Sequence, residues 1–551
     1  MFRIAVALAL TASVAMAARF EKAVPIWPEG REREMNLTVD FEAVFDAPEH
    51  VPVLRLTCST LYRAHLNGAF LGHGPARGPH GSFRIDEWPL KDLKPTGNRL
   101  VISVAGYNVN SFAYLDQPSF LQAEIIAGGR VLAATGGDGF VARQDRTRLQ
   151  RVARYSFQRP FSEVYRLSPN PEAPELRCVR QPDVPLLPRR VPYPTFERRA
   201  VSWHVAEGRM EPYEPAQLWK DRSLVNIGLE LRGFKESELE VVPVIELQKF
   251  RNASSRRLDR PAAADDRITL EEKGFHILDF GTNFTGFLVA RVTCDAPARL
   301  LLTFDEILSD GDVDFKRLSC VNIIDLHLEP GRYAFESFEP YTMRYLKLIA
   351  LKGTCTVDGV YLRDLANPAV WDAHFSASDA RLNRLFEAGR ETFRQNAVDI
   401  FMDCPSRERA GWLCDSFFTS RVAQDLSGNA LIEKNFYENY LLARSYPKIP
   451  DGMLPMCYPS DHYDGVFIPN WAMWFVVELE EYLARTGDQA LVKALEPKVS
   501  QLLAFLSKFE NSDGLLEKLP SWVFVEWSAA NSFVHDVNYP SNALYSGALR
   551  A

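Results

Sequence analysis

The sequence predicts a multidomain chain in which antiparallel β-sandwich modules come first and an all-helical unit follows. Three observations carry this. The 551 residues are enough for about three or four domains. Short runs of β-formers, separated by Gly, Pro and Asn turns, recur as far as Leu365. After His374 the apolar period changes to that of helices. Strand runs followed by helix runs indicate separate units rather than one mixed sheet.

Residues 1–17 read as an export signal. Arg3 gives a positive start, Ile4 to Val14 an apolar run too short to span a bilayer, and Ala15-Met16-Ala17 a small-residue cleavage site. Cleavage near Ala17 predicts an exported protein, periplasmic or secreted. No later stretch reaches the ~20 apolar residues of a membrane span. Residues 18–168 are expected to form the first sandwich, with β-rich runs from Val51 to Cys58 and from Leu100 to Ala105 and turns at Leu66-Asn67-Gly68, Pro95-Thr96-Gly97-Asn98 and Gly128-Gly129. Residues 169–267 read as a connecting region with a few strands, because Pro169, Pro171, Pro174, Pro182, Pro185, Pro188, Pro192 and Pro194 interrupt any regular element. Residues 268–366 return to strands, clearest at 290–294, 299–304 and 344–350, and make a second sandwich.

Residues 367–551 are expected to be helical. Ser378 is placed to cap a first helix, on which Leu382, Leu385, Phe386, Gly389 and Phe393 follow at helical spacing. Further helices are expected at 411–426, 431–445, 470–486 and 489–508, with a sixth from Ser541. That last run carries Leu544 and Leu549 on one side and ends without a Gly cap or a polar tail. The reading is a chain that stops inside a helix, as a truncated reading frame or fragment would.

Composition bounds the function. Net charge is −8, which argues against a nucleic-acid partner, since that affinity comes from clustered Lys and Arg. Aromatics are 12% of residues, as sugar-stacking surfaces or a large core require. The eight cysteines show no CxxC spacing, so most read as buried free thiols, with room for one or two disulfides. There is no GxGxxG before a helix, no P-loop and no HExxH. Asp310, Asp312 and Asp314 lack the Gly and Glu of an EF-hand loop and read as a solvated turn. His73 and His80 read as loop residues, and no metal or cofactor is called. Ser406, Cys404 and Cys414 have no nearby His to act as base.

The densest chemistry lies between Asp403 and Asp415, where three carboxylates, two arginines and one tryptophan fall within 13 positions. On a helix, Glu408 and Asp415 would sit on one face about 10 Å apart. That is too wide for the ~5–5.5 Å of a retaining carboxylate pair and at or beyond the ~6.5–9.5 Å of an inverting one. One of them is therefore expected to act with a carboxylate elsewhere. Glu408 is the better acid, because Asp403, Asp415 and an apolar wall at Trp412 would all favour its protonated form, with Arg407 and Arg409 opposing if they turn inward. A surface charge network explains the same composition equally well.

The run Asp403-Cys404-Pro405-Ser406-Arg407-Glu408-Arg409-Ala410-Gly411-Trp412, followed by Asp415, resembles the signature of the family 78 glycoside hydrolases, the α-L-rhamnosidases. The commonest family form has a further acidic residue between the arginine and the glutamate, which this sequence lacks. Leu66-Asn67-Gly68 with Gly72-His73-Gly74-Pro75-Ala76-Arg77-Gly78 and Arg84-Ile85-Asp86-Glu87-Trp88 is similar to the family's N-terminal sandwich. Asp279 to Gly286 and Glu339 to Tyr345 resemble its second β module. The resemblance implies an (α/α)6 barrel, of which only about the first half is present, and an inverting hydrolysis of terminal α-L-rhamnosyl linkages in oligosaccharides, polysaccharides or glycosides. It implies Glu408 as general acid, Asp403, Arg407 and Asp415 as holders of sugar hydroxyls, and Trp412, Trp471 and Trp527 as pocket aromatics, with Trp527 equally able to be core. The family's general base is a glutamate in the second half of the barrel, and no residue here matches it; Glu526 is the nearest acid and matches no base position. Two other readings stay open: a non-catalytic carbohydrate-binding protein, and another six-hairpin glycosidase.

Overall fold

The computed structural model describes residues 19–137, 139–461 and 465–551. The expected leader, 1–17, lies outside them.

The first module packs two sheets face to face. One runs in the order Cys178–Arg180, Ile26–Pro28, Leu121–Ala127, Val53–Cys58, Phe83–Pro89, Leu186–Pro188. The other runs Glu175–Leu176, Val141–Gln144, Leu37–Phe45, Asn98–Gly106, Leu61–Leu66, Ala69–Gly74. Alternation along Leu37–Phe45 turns Leu37, Val39, Phe41, Ala43 and Phe45 inward, against Leu54, Leu56, Ile102, Val104 and Ile125. The Pro-rich stretch expected to be a connector is stitched into this module as edge strands on both sheets. Proline lacks the N–H a central strand needs, and an edge is where that loss is tolerated.

The second module is one 11-stranded sheet folded over on itself. Its spine is the 21-residue strand Gly274–Cys294. The first half of that strand pairs with Trp203–Pro212 and Tyr341–Lys352, the second half with Gly331–Glu336 and Cys355–Asp364. The register shifts between Asp279 and Phe284. Gly281 sits in that gap with φ +85°, a conformation an L side chain resists. The two halves enclose Leu278, Leu288, Leu300, Leu302, Leu346, Leu348, Val357 and Leu362. Strands on both sides of residue 267 contribute to this sheet, and Glu163–Leu167 joins it in parallel with Ile323–Leu328.

Among the described residues six helices of twelve residues or more follow: Ala380–Asn396, Leu413–Ser427, Leu431–Leu442, Pro469–Thr486, Gln489–Leu506 and Tyr539–Arg550. Asp379, not Ser378, caps the first, accepting from Arg381 N at 2.9 Å. Leu413–Ser427, Pro469–Thr486 and Tyr539–Arg550 form one row, and Leu431–Leu442 packs against Gln489–Leu506 in a second. From Leu413–Ser427 onward these rows pair each helix with the next but one, while Ala380–Asn396 packs on Leu413–Ser427, around a core of Phe436, Tyr437, Tyr440, Phe475, Leu479, Leu495 and Leu502. On the first helix Phe393 is buried, whereas Leu382 and Leu385 face solvent, since no element among the described residues covers them. No described helix is long and apolar enough to cross a membrane. All eight cysteines are free thiols, five of them buried, with no disulfide.

Candidate active site

The segment from Ala397 to Trp412 leaves the first helix and enters the second as a compact loop. Asp403 N donates to Ala410 O at 2.9 Å and Ala410 N returns to Asp403 Oδ1 at 3.0 Å. Arg409 carries φ +56°, which breaks any helical continuation. The interval from Glu408 to Asp415 is therefore not a helical one, and the expected ~10 Å axial spacing does not apply. The helix begins at Leu413, with Asp415 in its first turn.

A short antiparallel bridge pins the end of the loop: Leu413 N donates to Met456 O at 3.0 Å and Tyr458 N to Gly411 O at 3.0 Å. A Cβ at Gly411 would come within 2.5 Å of Tyr458 O. Only glycine allows this approach, which accounts for the Gly before Trp412.

Glu408 is 4% exposed and accepts three donors. Gln158 Nε2 reaches Oε1 at 2.7 Å, the Arg407 guanidinium also donates to Oε1, and Trp412 Nε1 reaches Oε2 at 2.7 Å. Burial and the charge of Glu408 push Asp403 up to about 7. The same two causes, burial first, push Asp415 up to about 6. Asp403 and Asp415 are raised because burial and a neighbouring like charge both disfavour ionisation in a poorly solvated space.

The aromatics run outward from this point. The Trp412 ring meets Phe112 edge-on at 5.2 Å and Trp471 at 5.2 Å. Trp471 meets Phe524 at 5.5 Å, and Phe524 meets Trp527 at 4.8 Å. Trp527 is 84% exposed, so it is surface, not core. Glu526 lies beside it on the surface, accepting from the Ser528 hydroxyl. Thus Glu408, Asp403, Arg407, Asp415 and Trp412 come together, Trp471 joins them through Trp412, and Trp527 stands two rings further out.

Residues from the first module complete the site, and local sequence did not reveal them. Arg77 clasps Asp399 through Nη2 to Oδ1 at 2.7 Å and Nε to Oδ2 at 2.9 Å, and its Nη1 donates to Arg409 O at 2.6 Å. Burial opposes ionisation of Asp399, yet the Arg77 guanidinium holds its carboxyl well below the usual range. Arg159 Nη1 donates to Ser406 O at 2.9 Å. His73 is buried, with its imidazole pushed down to about 3 by burial and by nearby Arg409. His80 spans Tyr458 and Asp461, at 3.1 and 2.6 Å. Neither histidine is part of a metal-binding group; among the described residues no three His, Cys, Asp or Glu side chains are placed to hold an ion. Asp312 is occupied by Lys347 Nζ at 2.8 Å and Asn252 Nδ2 at 2.9 Å.

A buried carboxyl cluster beside a tryptophan face can receive a polyhydroxylated ring, hydroxyls to the carboxylates and an apolar face to the indole. Residues 372–550 match the family model for the bacterial alpha-L-rhamnosidase six-hairpin glycosidase domain. An alpha-L-rhamnosidase of Streptomyces avermitilis is 26% identical over 269 residues, which are 47% of this chain and 25% of that protein. An alpha-L-rhamnosidase of Alteromonas sp. is 24% identical over 239 residues, covering 42% of this chain and 25% of its own length. The match thus spans about a quarter of either relative. Among solved structures, a family 78 rhamnosidase of Bacillus sp. GL1 superposes with TM-score 0.77 at 18% identity, over 97% of this chain and 74% of that one. An α-L-rhamnosidase of Aspergillus terreus gives 0.61 at 16% identity, over 96% and 58%. These likenesses bear out a β-rich region followed by a helical one.

Proposed function

We propose that the protein is an exported α-L-rhamnosidase that hydrolyses terminal α-L-rhamnosyl linkages with inversion. The observation that supports this best is Glu408, buried against Trp412 between two carboxyls that hold protons near neutrality, inside a segment of the six-hairpin glycosidase family.

Glu408 gives its proton to the glycosidic oxygen as the anomeric bond breaks, and that oxygen keeps the bonding electrons. Water adds from the opposite face of the ring. Asp403, Asp415 and Arg407 hold the sugar hydroxyls, and Asp403, pushed up to about 7, keeps a second proton beside the acid. Trp412 and Trp471 line the apolar side, and Trp527 meets the outer part of the substrate. No residue of the chain is assigned as the base that activates the water.

The test compares the full chain with Glu408→Gln on an aryl α-L-rhamnoside. Turnover is expected to fall by about 10²–10⁴-fold, while L-rhamnose binding stays within a few-fold. Rhamnose binding with no turnover in either form would make the protein a carbohydrate-binding one.

A further inference from the structure

Glu408 is held from the far side of the chain. Gln158 stands 250 positions before it, in the loop that leads from the first module to the strand Glu163–Leu167. That loop is fixed by Arg154, 1% exposed, whose guanidinium donates to the carbonyls of Ser156, Phe157, Arg159, Asn110 and Arg232. Gln158 is tied at its own backbone as well: its N–H donates to Ser156 Oγ at 3.2 Å, and its carbonyl accepts from Phe112 N at 2.8 Å. Phe112 in turn lies edge-on to Trp412. One loop therefore sets both the amide that meets Oε1 of Glu408 and the ring that backs the indole on Oε2.

The amide is a costly choice for packing alone. Gln158 Oε1 is buried with no hydrogen-bond partner among the described residues. An unpaired buried acceptor destabilises the fold, and an apolar side chain of similar length would not incur that loss. What the amide provides is its N–H on Glu408.

We infer that Gln158 is a positioning residue for the acid, one that the β module supplies to the helical site. The inference rests on the general-acid reading of Glu408. With Gln158 and Arg407 both donating to Oε1, and among the described residues Trp412 alone on Oε2, Oε2 is the oxygen with room to carry the proton. When that proton passes to the leaving oxygen, the carboxylate left behind meets donors already in place, so little reorganisation accompanies the step. The first module is on this account a working part of the site rather than a separate sugar-binding appendage.

The experiment uses the full chain with Gln158→Met, which keeps the length and removes the donor. Three quantities are read: the melting midpoint, the pH dependence of kcat and KM on an aryl α-L-rhamnoside, and the ionisation of Glu408 followed by the ¹³C carboxyl signal of labelled glutamate, assigned by its loss in Glu408→Gln. Removing a donor from a carboxylate disfavours its ionised form, so the Glu408 midpoint rises relative to the parent. Because the acid works while protonated, the alkaline limb of the rate profile rises with it. The expected shift is about one pH unit, with kcat down about tenfold, KM within about twofold, and a melting midpoint equal to the parent's or higher. A variant that melts lower or fails to fold, or a Glu408 midpoint that does not move, overturns the inference, because each is what a purely structural amide predicts. If the parent itself shows no turnover, the rhamnosidase reading falls, and the carboxyl titration still decides the role of Gln158.

Discussion

The loop 397–412 and the segment 522–533 both carry residues assigned to one sugar site, and they are built in opposite ways. Glu408 is 4% exposed and Trp527 is 84% exposed. The loop is gripped by Arg77, Gln158 and Arg159 from the first module, by Asn435 Nδ2 on Asp399 O at 2.8 Å, and by the bridge at Tyr458. The outer segment rests on a few ring edges and on Asn531, which ties Val525 N at 2.7 Å. On the proposed reading the acid is placed before any sugar arrives, and the outer tryptophan is a surface that a substrate itself can cover. Preorganisation is concentrated where charge moves.

Breaking the grip is the strongest test of this contrast. Asp399→Asn leaves the nearly buried Arg77 uncompensated and should cost about 3–5 kcal/mol, read by chemical unfolding, with a larger loss of turnover than of rhamnose binding. The sign with pH follows from the depressed carboxyl. The Arg77–Asp399 contribution is complete above the unfolded value of about 4 and is lost as pH falls through the lower folded one. The variant and the parent should therefore converge in stability only in strong acid. An undiminished gap there would show that the pair is not the source.

Asp403→Asn sharpens the comparison in the other direction. A carboxyl raised to about 7 withholds stability as pH climbs from its unfolded value of about 4 to that point. The Asn side chain can still accept from Ala410 N. The variant should melt a few degrees above the parent at pH 8 and level with it at pH 4, although its turnover falls. The smallest effect belongs to the outer region: Trp527→Ala should change stability by no more than about 0.5 kcal/mol and raise KM severalfold on a long saccharide while leaving an aryl rhamnoside unaffected. Equal effects on both substrates would place Trp527 in the inner pocket.

The same contrast governs what could be read from the sequence. Asp403, Arg407, Glu408, Trp412 and Asp415 are contiguous, so their residue types disclosed the cluster directly. Gln158 and Phe112 lie in unremarkable local contexts, and Arg77 lies in a glycine-rich run that said nothing of its partner; only packing brings these residues to the loop that carries Glu408. Helix positions followed from their period, as at Pro469–Thr486 against the expected 470–486. The spacing of Glu408 from Asp415 did not, because Arg409 turns left-handed within it. The edge strands of the Pro-rich stretch were hidden for a related reason: an edge strand is defined by the neighbour it borrows, not by its own pattern.

The strand Glu163–Leu167 has a consequence for how the molecule is made. It leaves the first sandwich and pairs with Ile323–Leu328, so on a growing chain it waits for well over a hundred residues to be synthesised before its ladder can close. Until then it is an open template for other strands. The closing contact is of the long-range kind that slows folding. A gene cut after residue 168 would deliver the first sandwich with that template permanently exposed. The two β modules are therefore best expressed, handled and engineered as a single piece.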